Sequence, residues 1–135
     1  DNKLIEMIKS ITVEEFIDYW MNQELFQTQK KLSREKLNEI RKIKIENNNK
    51  TGLINSLLGF GTGQMNSLWN DLHQIKCRTL LITGESDEKY TIINRRMNEL
   101  IESSAHSIIK NTGHNVHLEN PNDFVNLIFN CLNFH

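Results

Sequence analysis

Residues Thr79-Leu80-Leu81-Ile82-Thr83 make a short, continuous apolar run closed by Gly84. A run of this kind suits a strand buried on both faces of a parallel sheet, where no face is left for water. Beyond it, Ile93, Met97, Leu100 and Ile101 fall at helical spacing. His106-Ser107-Ile108-Ile109 reads as a second strand. Asn120 is placed to cap a last helix, with Pro121 at its first position and Asp123 in its first turn. The stripe expected to be buried on that helix is Phe124, Leu127, Ile128, Cys131 and Leu132. The order strand–loop–helix–strand–loop–helix defines an α/β class with parallel strands near 79–83 and 106–109. Two parallel strands do not make a stable sheet by themselves, so the chain is expected to be part of a larger one.

The residues before this point read as helical. Thr12 and Glu15 form a capping box that opens a helix through about Asn22. Ser33 caps a second helix with Leu37, Ile40 and Ile43 on one face. Leu53, Ile54, Leu57 and Leu58 mark a third, ended by the stretch from Gly59 to Gly63, and Asn47-Asn48-Asn49 is a helix-ending turn. The expected division is a helical region over 1–72 and an α/β region over 73–135. By default Trp20, Phe26 and Trp69 are packing residues, and the charged run from Arg41 to Glu46 is a solvated helix face.

Composition narrows the function classes. Of 135 residues, 38% are hydrophobic and 24% charged, as in ordinary globular domains, and the net charge of −1 gives no electrostatic reason to bind nucleic acid or an anionic membrane. No apolar run approaches the length of about 20 residues that a membrane-spanning helix needs, and no secretory signal is visible. Cys77 and Cys131 are too few and too far apart for a disulfide framework, which points to the reducing cytoplasm.

Chemistry is concentrated in two loops, each following a strand: Gly84-Glu85-Ser86-Asp87-Glu88 and Thr112-Gly113-His114. Ligands in open parallel sheets bind beyond the carboxyl ends of the strands, where an acid and a histidine on two such loops can meet. A carboxylate that accepts the imidazole Nδ1–H fixes the tautomer and leaves Nε2 as a base. Asp87 alone would read as a turn residue; the strand before it and the His114 loop after the next strand make it the candidate acid. A nucleophile is not visible: there is no G-x-S-x-G, and Ser56, Ser67 and Ser86 lack the strand–elbow–helix setting. Gly59-Phe60-Gly61-Thr62-Gly63 has no Lys and follows no strand, which argues against a phosphate loop. His114, His117 and Glu119 do not make the H-E-x-x-H pattern of a zinc site, so no metal is expected and His117 is read as a structural hydrogen-bonding group. No cofactor is expected.

The string from Thr79 to Asp87, followed by Gly113-His114-Asn115-Val116-His117-Leu118-Glu119-Asn120-Pro121, resembles the closing third of α/β-hydrolases. Tyr19-Trp20 with Phe26, the string Leu53 to Leu58, and Gly61-Thr62-Gly63-Gln64-Met65 before Trp69 resemble one branch, the menaquinone-pathway 2-succinyl-6-hydroxy-2,4-cyclohexadiene-1-carboxylate synthases. The resemblance runs over essentially the whole chain, as helical cap plus C-terminal core. It implies a lyase in which a Ser–His–Asp triad removes a proton and pyruvate is eliminated, with no acyl-enzyme. Asp87 would orient His114, and His114 would activate a Ser that this chain does not contain. Trp20 and Phe26 match aromatic pocket positions, and Lys44 stands nearest to a cap arginine facing the substrate carboxylates, without the bidentate fork of Arg. Arg78 replaces the usual Pro before the acid strand.

Two other readings compete: the same portion of an ordinary esterase or C–C hydrolase, and a non-catalytic helical binding module. The expected partners are a small-molecule carboxylate substrate and either an N-terminal half or a second copy at the sheet edge, with no nucleic acid and no membrane. The chain alone is expected to be inactive.

Overall fold

A computed structural model describes residues 1–63 and 65–133, Asn133 by its backbone alone. Gln64, part of the glycine-rich string quoted above, and the last two residues of the expected second region lie outside the described residues. The chain divides into two compact units. One comprises Asp1–Glu24 and Leu32–Ser67; the other comprises Leu25–Lys31 and the residues from Leu68 onward. The observed break therefore falls at 67/68, a few residues before the expected 72/73, and the 25–31 segment counts with the later unit.

The first unit is built of four helices, α1 (Asn2–Ser10), α2 (Val13–Met21), α3 (Arg34–Glu46) and α4 (Lys50–Phe60). Thr12 and Glu15 close the expected capping box at the start of α2, and the Ser33 side chain accepts the Lys36 N–H at the start of α3. The Asn triplet both ends α3 and begins α4, where Asn49 Oδ1 accepts the Gly52 N–H. Ile8, Phe16 and Ile17 form the core, with Trp20, Ile45, Leu53, Ile54 and Leu57 packed against it. Ile8 is 1% exposed; truncating such a residue to Ala costs about 2–5 kcal/mol. The face of α3 differs from the expected one. Ile43 is 49% exposed while Ile40 is buried, and Arg41 on the adjoining stripe makes a bidentate pair with Asp18 at 2.6 and 2.9 Å. At a hundred degrees per residue Lys44 falls about 40° from Ile40 and lines a cavity, while Arg41 is tied to Asp18, so the charged run is not wholly a solvated face.

The second unit carries a parallel pair, β1 (Thr79–Gly84) and β2 (Ser104–Ile109), in register Thr79↔Ser104 through Gly84↔Ile109. Helix α5 (Glu88–Leu100) connects them, and α6 (Val116–Glu119) and α7 (Pro121–Asn133) follow. Short 3-10 segments lie at Glu24–Lys31 and Trp69–Gln74, with Arg96 over the Trp69 ring at 5.0 Å. The α/β class and both strands agree with the sequence reading. Asn120 caps α7 as expected, accepting the Asp123 N–H and donating to its carboxylate. Burial does not fully agree: Leu80, Leu81 and Ile82 are only half-buried, and Leu132 on the α7 stripe is 63% exposed. With two strands, β1 lacks cover that a full parallel sheet supplies on both faces. Among the described residues no helix is long and apolar enough to cross a membrane.

Candidate active site

Both loops leave the carboxyl ends of β1 and β2 and are tied to each other by backbone. The Glu85 N–H donates to Ile109 O and the Ser86 N–H to Thr112 O, each at 2.9 Å. Glu85 is used here too, its carboxylate accepting the Asn111 N–H, and Asn111 sits at φ 59, a conformation Asn tolerates better than most residues. The loops cross at Gly84, where a Cβ would run into the carbonyl oxygens of Gly113 and Thr112. Thr112, 1% exposed, is held by its own hydroxyl bond to Ile109 O.

Asp87 is the N-cap of α5, with Oδ1 accepting the Tyr90 N–H. Its other oxygen, Oδ2, lies 2.7 Å from His114 Nδ1. Asp87 is 7% exposed, so the carboxylate is held by the helix N-terminus on one side and the imidazole on the other. The His114 ring lies beside two aromatic rings, Tyr90 at 4.7 Å and Phe26 at 5.9 Å between centroids. Among the described residues nothing hydrogen-bonds Nε2. The arrangement can hold an imidazole in one tautomer and present Nε2 as a base.

The remaining predicted site residues fall as follows. Phe26 is brought to His114, in the second unit. Trp20 and Lys44 are in the first unit, where they line one cavity of about 240 Å³ with Leu4, Phe16, Leu53 and Ser56 among its walls. Among the described residues no hydrogen bond reaches the His117 ring, which is exposed and lies against Phe124, 5.9 Å between rings. Among the described residues no three His, Cys, Asp or Glu side chains are grouped to hold a metal ion. Sequence reasoning missed Tyr90 and Thr28. The signal for Tyr90 was its place three residues after the N-cap, which brings its backbone back to the Asp87 carboxylate.

An acid and a histidine on consecutive loops at the carboxyl ends of parallel strands, followed by a terminal helix, define the C-terminal portion of an α/β-hydrolase fold. The comparisons agree and are more particular. The chain is 40% identical over 128 residues to a Bacillus subtilis (strain 168) protein assigned by name as a 2-succinyl-6-hydroxy-2,4-cyclohexadiene-1-carboxylate synthase, across 95% of this chain and 46% of that protein. It superimposes on the solved structure of MenH from S. aureus with a TM-score of 0.92 and 33% identity, over 96% of this chain and 48% of the other. The chain is thus homologous to the C-terminal portion of this menaquinone-pathway synthase and spans about half the length of the relatives it matches. No protein-family profile matches it.

Proposed function

We propose that the protein containing this chain is a menaquinone-pathway lyase that eliminates pyruvate to form 2-succinyl-6-hydroxy-2,4-cyclohexadiene-1-carboxylate. The observation that carries this is the 2.7 Å contact between Asp87 Oδ2 and His114 Nδ1, in a chain homologous to such synthases. In this reading Asp87 orients the imidazole and Nε2 of His114 takes the proton of a Ser hydroxyl outside this chain. That Ser in turn removes a proton from the substrate, and the electron pair left behind expels pyruvate. Within the second unit Phe26 meets the substrate beside the imidazole; in the first unit Trp20 and Lys44, which line one cavity, offer an apolar face and a partner for a carboxylate. The reaction runs in the cytoplasm, which suits the free thiols of Cys77 and Cys131.

The test is pyruvate release by the full-length protein. His114→Ala is expected to abolish it, and Asp87→Asn to lower it by roughly 10⁴-fold, the size of a wrong-tautomer effect in a serine protease. Near-normal release by Asp87→Asn would remove Asp87 from its role. Ester hydrolysis without pyruvate release would move the protein to the ordinary hydrolases. The 135-residue chain alone is expected to show neither activity, because the Ser and the donors that hold a developing oxyanion are not in it.

A further inference from the structure

Glu119, which the sequence suggested only as a doubtful metal ligand, occupies a more specific place. It ends α6, the single helical turn that follows His114 and Asn115, and its N–H is fixed to Asn115 O at 3.0 Å. That turn folds the side chain back over the loop it has just left. One oxygen, Oε2, accepts the Gly113 N–H at 2.8 Å. The other, Oε1, accepts the Thr28 hydroxyl at 3.0 Å, from a residue 91 positions away. Thr28 also closes against Gly113, where a Cβ would collide with its hydroxyl and methyl groups. Two residues before Thr28, Phe26 lies against the His114 ring.

We propose that Glu119 is a positioning residue for His114: its carboxylate clamps the 25–31 segment to the histidine loop, fixing the imidazole through its backbone on one side and through Phe26 on the other. This rests on the reading of His114 as the base. The chemistry suits the task. A carboxylate has two acceptor oxygens in one plane and can hold two donors from different segments at once. The peptide N–H it takes belongs to the residue adjoining His114, so a shift of the clamp moves the imidazole directly. Asp87 restrains only Nδ1; a second restraint is needed to fix where Nε2 points, and misplacement by about 1 Å can cost 10²-fold in rate.

The variants are Glu119→Ala, Glu119→Gln and Thr28→Val in the full-length protein, with Asp87→Asn measured alongside. Three quantities are read: pyruvate release split into kcat and KM, the ring-nitrogen NMR signals of His114, and Tm. Glu119→Ala is expected to lower kcat by about 10²-fold with KM little changed and to mix the His114 tautomers. Thr28→Val acts in the same direction to a smaller extent. Glu119→Gln restores most of the loss, because its amide oxygen accepts the Gly113 N–H while its NH₂ donates to the Thr28 hydroxyl. If Glu119→Ala lowers Tm alone, leaving kcat and the ring signals as in the wild type, the clamp is merely structural and the proposal falls. If Asp87→Asn is harmless to turnover, it is the acid–histidine reading that falls, and the ring signals alone then decide for or against the clamp.

Discussion

Thr83 on β1 and His106 on β2 are joined by a 2.8 Å contact between Oγ1 and Nε2, and Thr91 at the start of α5 donates to the same Thr83 hydroxyl. The network lies under the Asp87 turn and knits both strands to the helix that Asp87 caps. Burial holds the His106 pKa below its ordinary value, and the nearby Arg95 adds to the effect. The folded state therefore prefers the neutral ring. Its contribution is complete above the unfolded value near 6.5 and declines as pH falls below that toward the lower folded value. Urea midpoints compared at pH 8 and pH 5.5 are expected to fall for the wild type and to fall less for His106→Gln; equal slopes would contradict this.

Gly84→Ala is expected to be severe for a substitution that adds one methyl group. The added carbon meets backbone, the Gly113 and Thr112 carbonyls, which cannot rotate away. Overpacking of this kind costs about 1–3 kcal/mol. Because the displaced atoms are in the His114 loop, turnover in the full-length protein is expected to drop further than Tm alone explains. Wild-type kinetics in a folded Gly84→Ala protein would show that the two loops separate freely.

Arg41→Ala tests the pair between α2 and α3. The hydrogen bond from Arg41 holds the Asp18 carboxyl below its ordinary pKa, outweighing the cost of burial. The stabilisation is present above the unfolded value of about 3.9 and is lost as pH falls through the lower folded value. Both side chains are over a third exposed, so solvent screening keeps the effect small. The loss in urea midpoint at pH 7 is expected to shrink in high salt; a loss unchanged by salt would point to packing by the guanidinium stem.

The isolated chain is expected to self-associate. Phe129 is 58% and Leu132 63% exposed. A groove of about 460 Å³ runs among Leu80, Ile82, Phe124, Ile128 and Leu132. Covering one such side chain is worth about 1.5–3 kcal/mol, comparable with a sizeable part of a domain's net stability. Sedimentation at micromolar concentration should show dimers or larger species, reduced by Phe129→Lys and Leu132→Lys. A monomer with a sharp thermal transition would rule this out.

The sequence disclosed the α/β part best because its signals are local: an apolar run, a glycine, a Pro after an Asn cap. Asp87 and His114 could be paired because each follows a strand, and parallel strands deliver such loops to one end. Helix α1, in which Ile5 and Ile8 are buried, was read only as part of a helical region and not as a separate element; Asp1 stands at its N-cap but makes no side-chain cap bond. The face of α3 was misjudged because Ile43 is apolar but outward, while Arg41 pairs with Asp18 and Lys44 lines a cavity. The bond between Thr28 and Glu119 has no local signature, because their separation of 91 residues is bridged only by the fold.

The later unit is not continuous along the gene. Leu25–Lys31 belongs to it, yet the residues on either side of that segment do not. A truncation at 67/68, the natural place to cut for separate expression, would send Phe26 and Thr28 away with the wrong piece. His114 would keep Asp87 and Tyr90 but lose an aromatic neighbour, and Glu119 would keep one donor of two. Buried Gln29 would leave with them. An excised α/β piece would hold every residue of the acid–histidine pair and still lack what steadies it. Attempts to rebuild this site from parts must therefore carry the eight-residue 24–31 segment across the cut, as a graft or a tethered peptide.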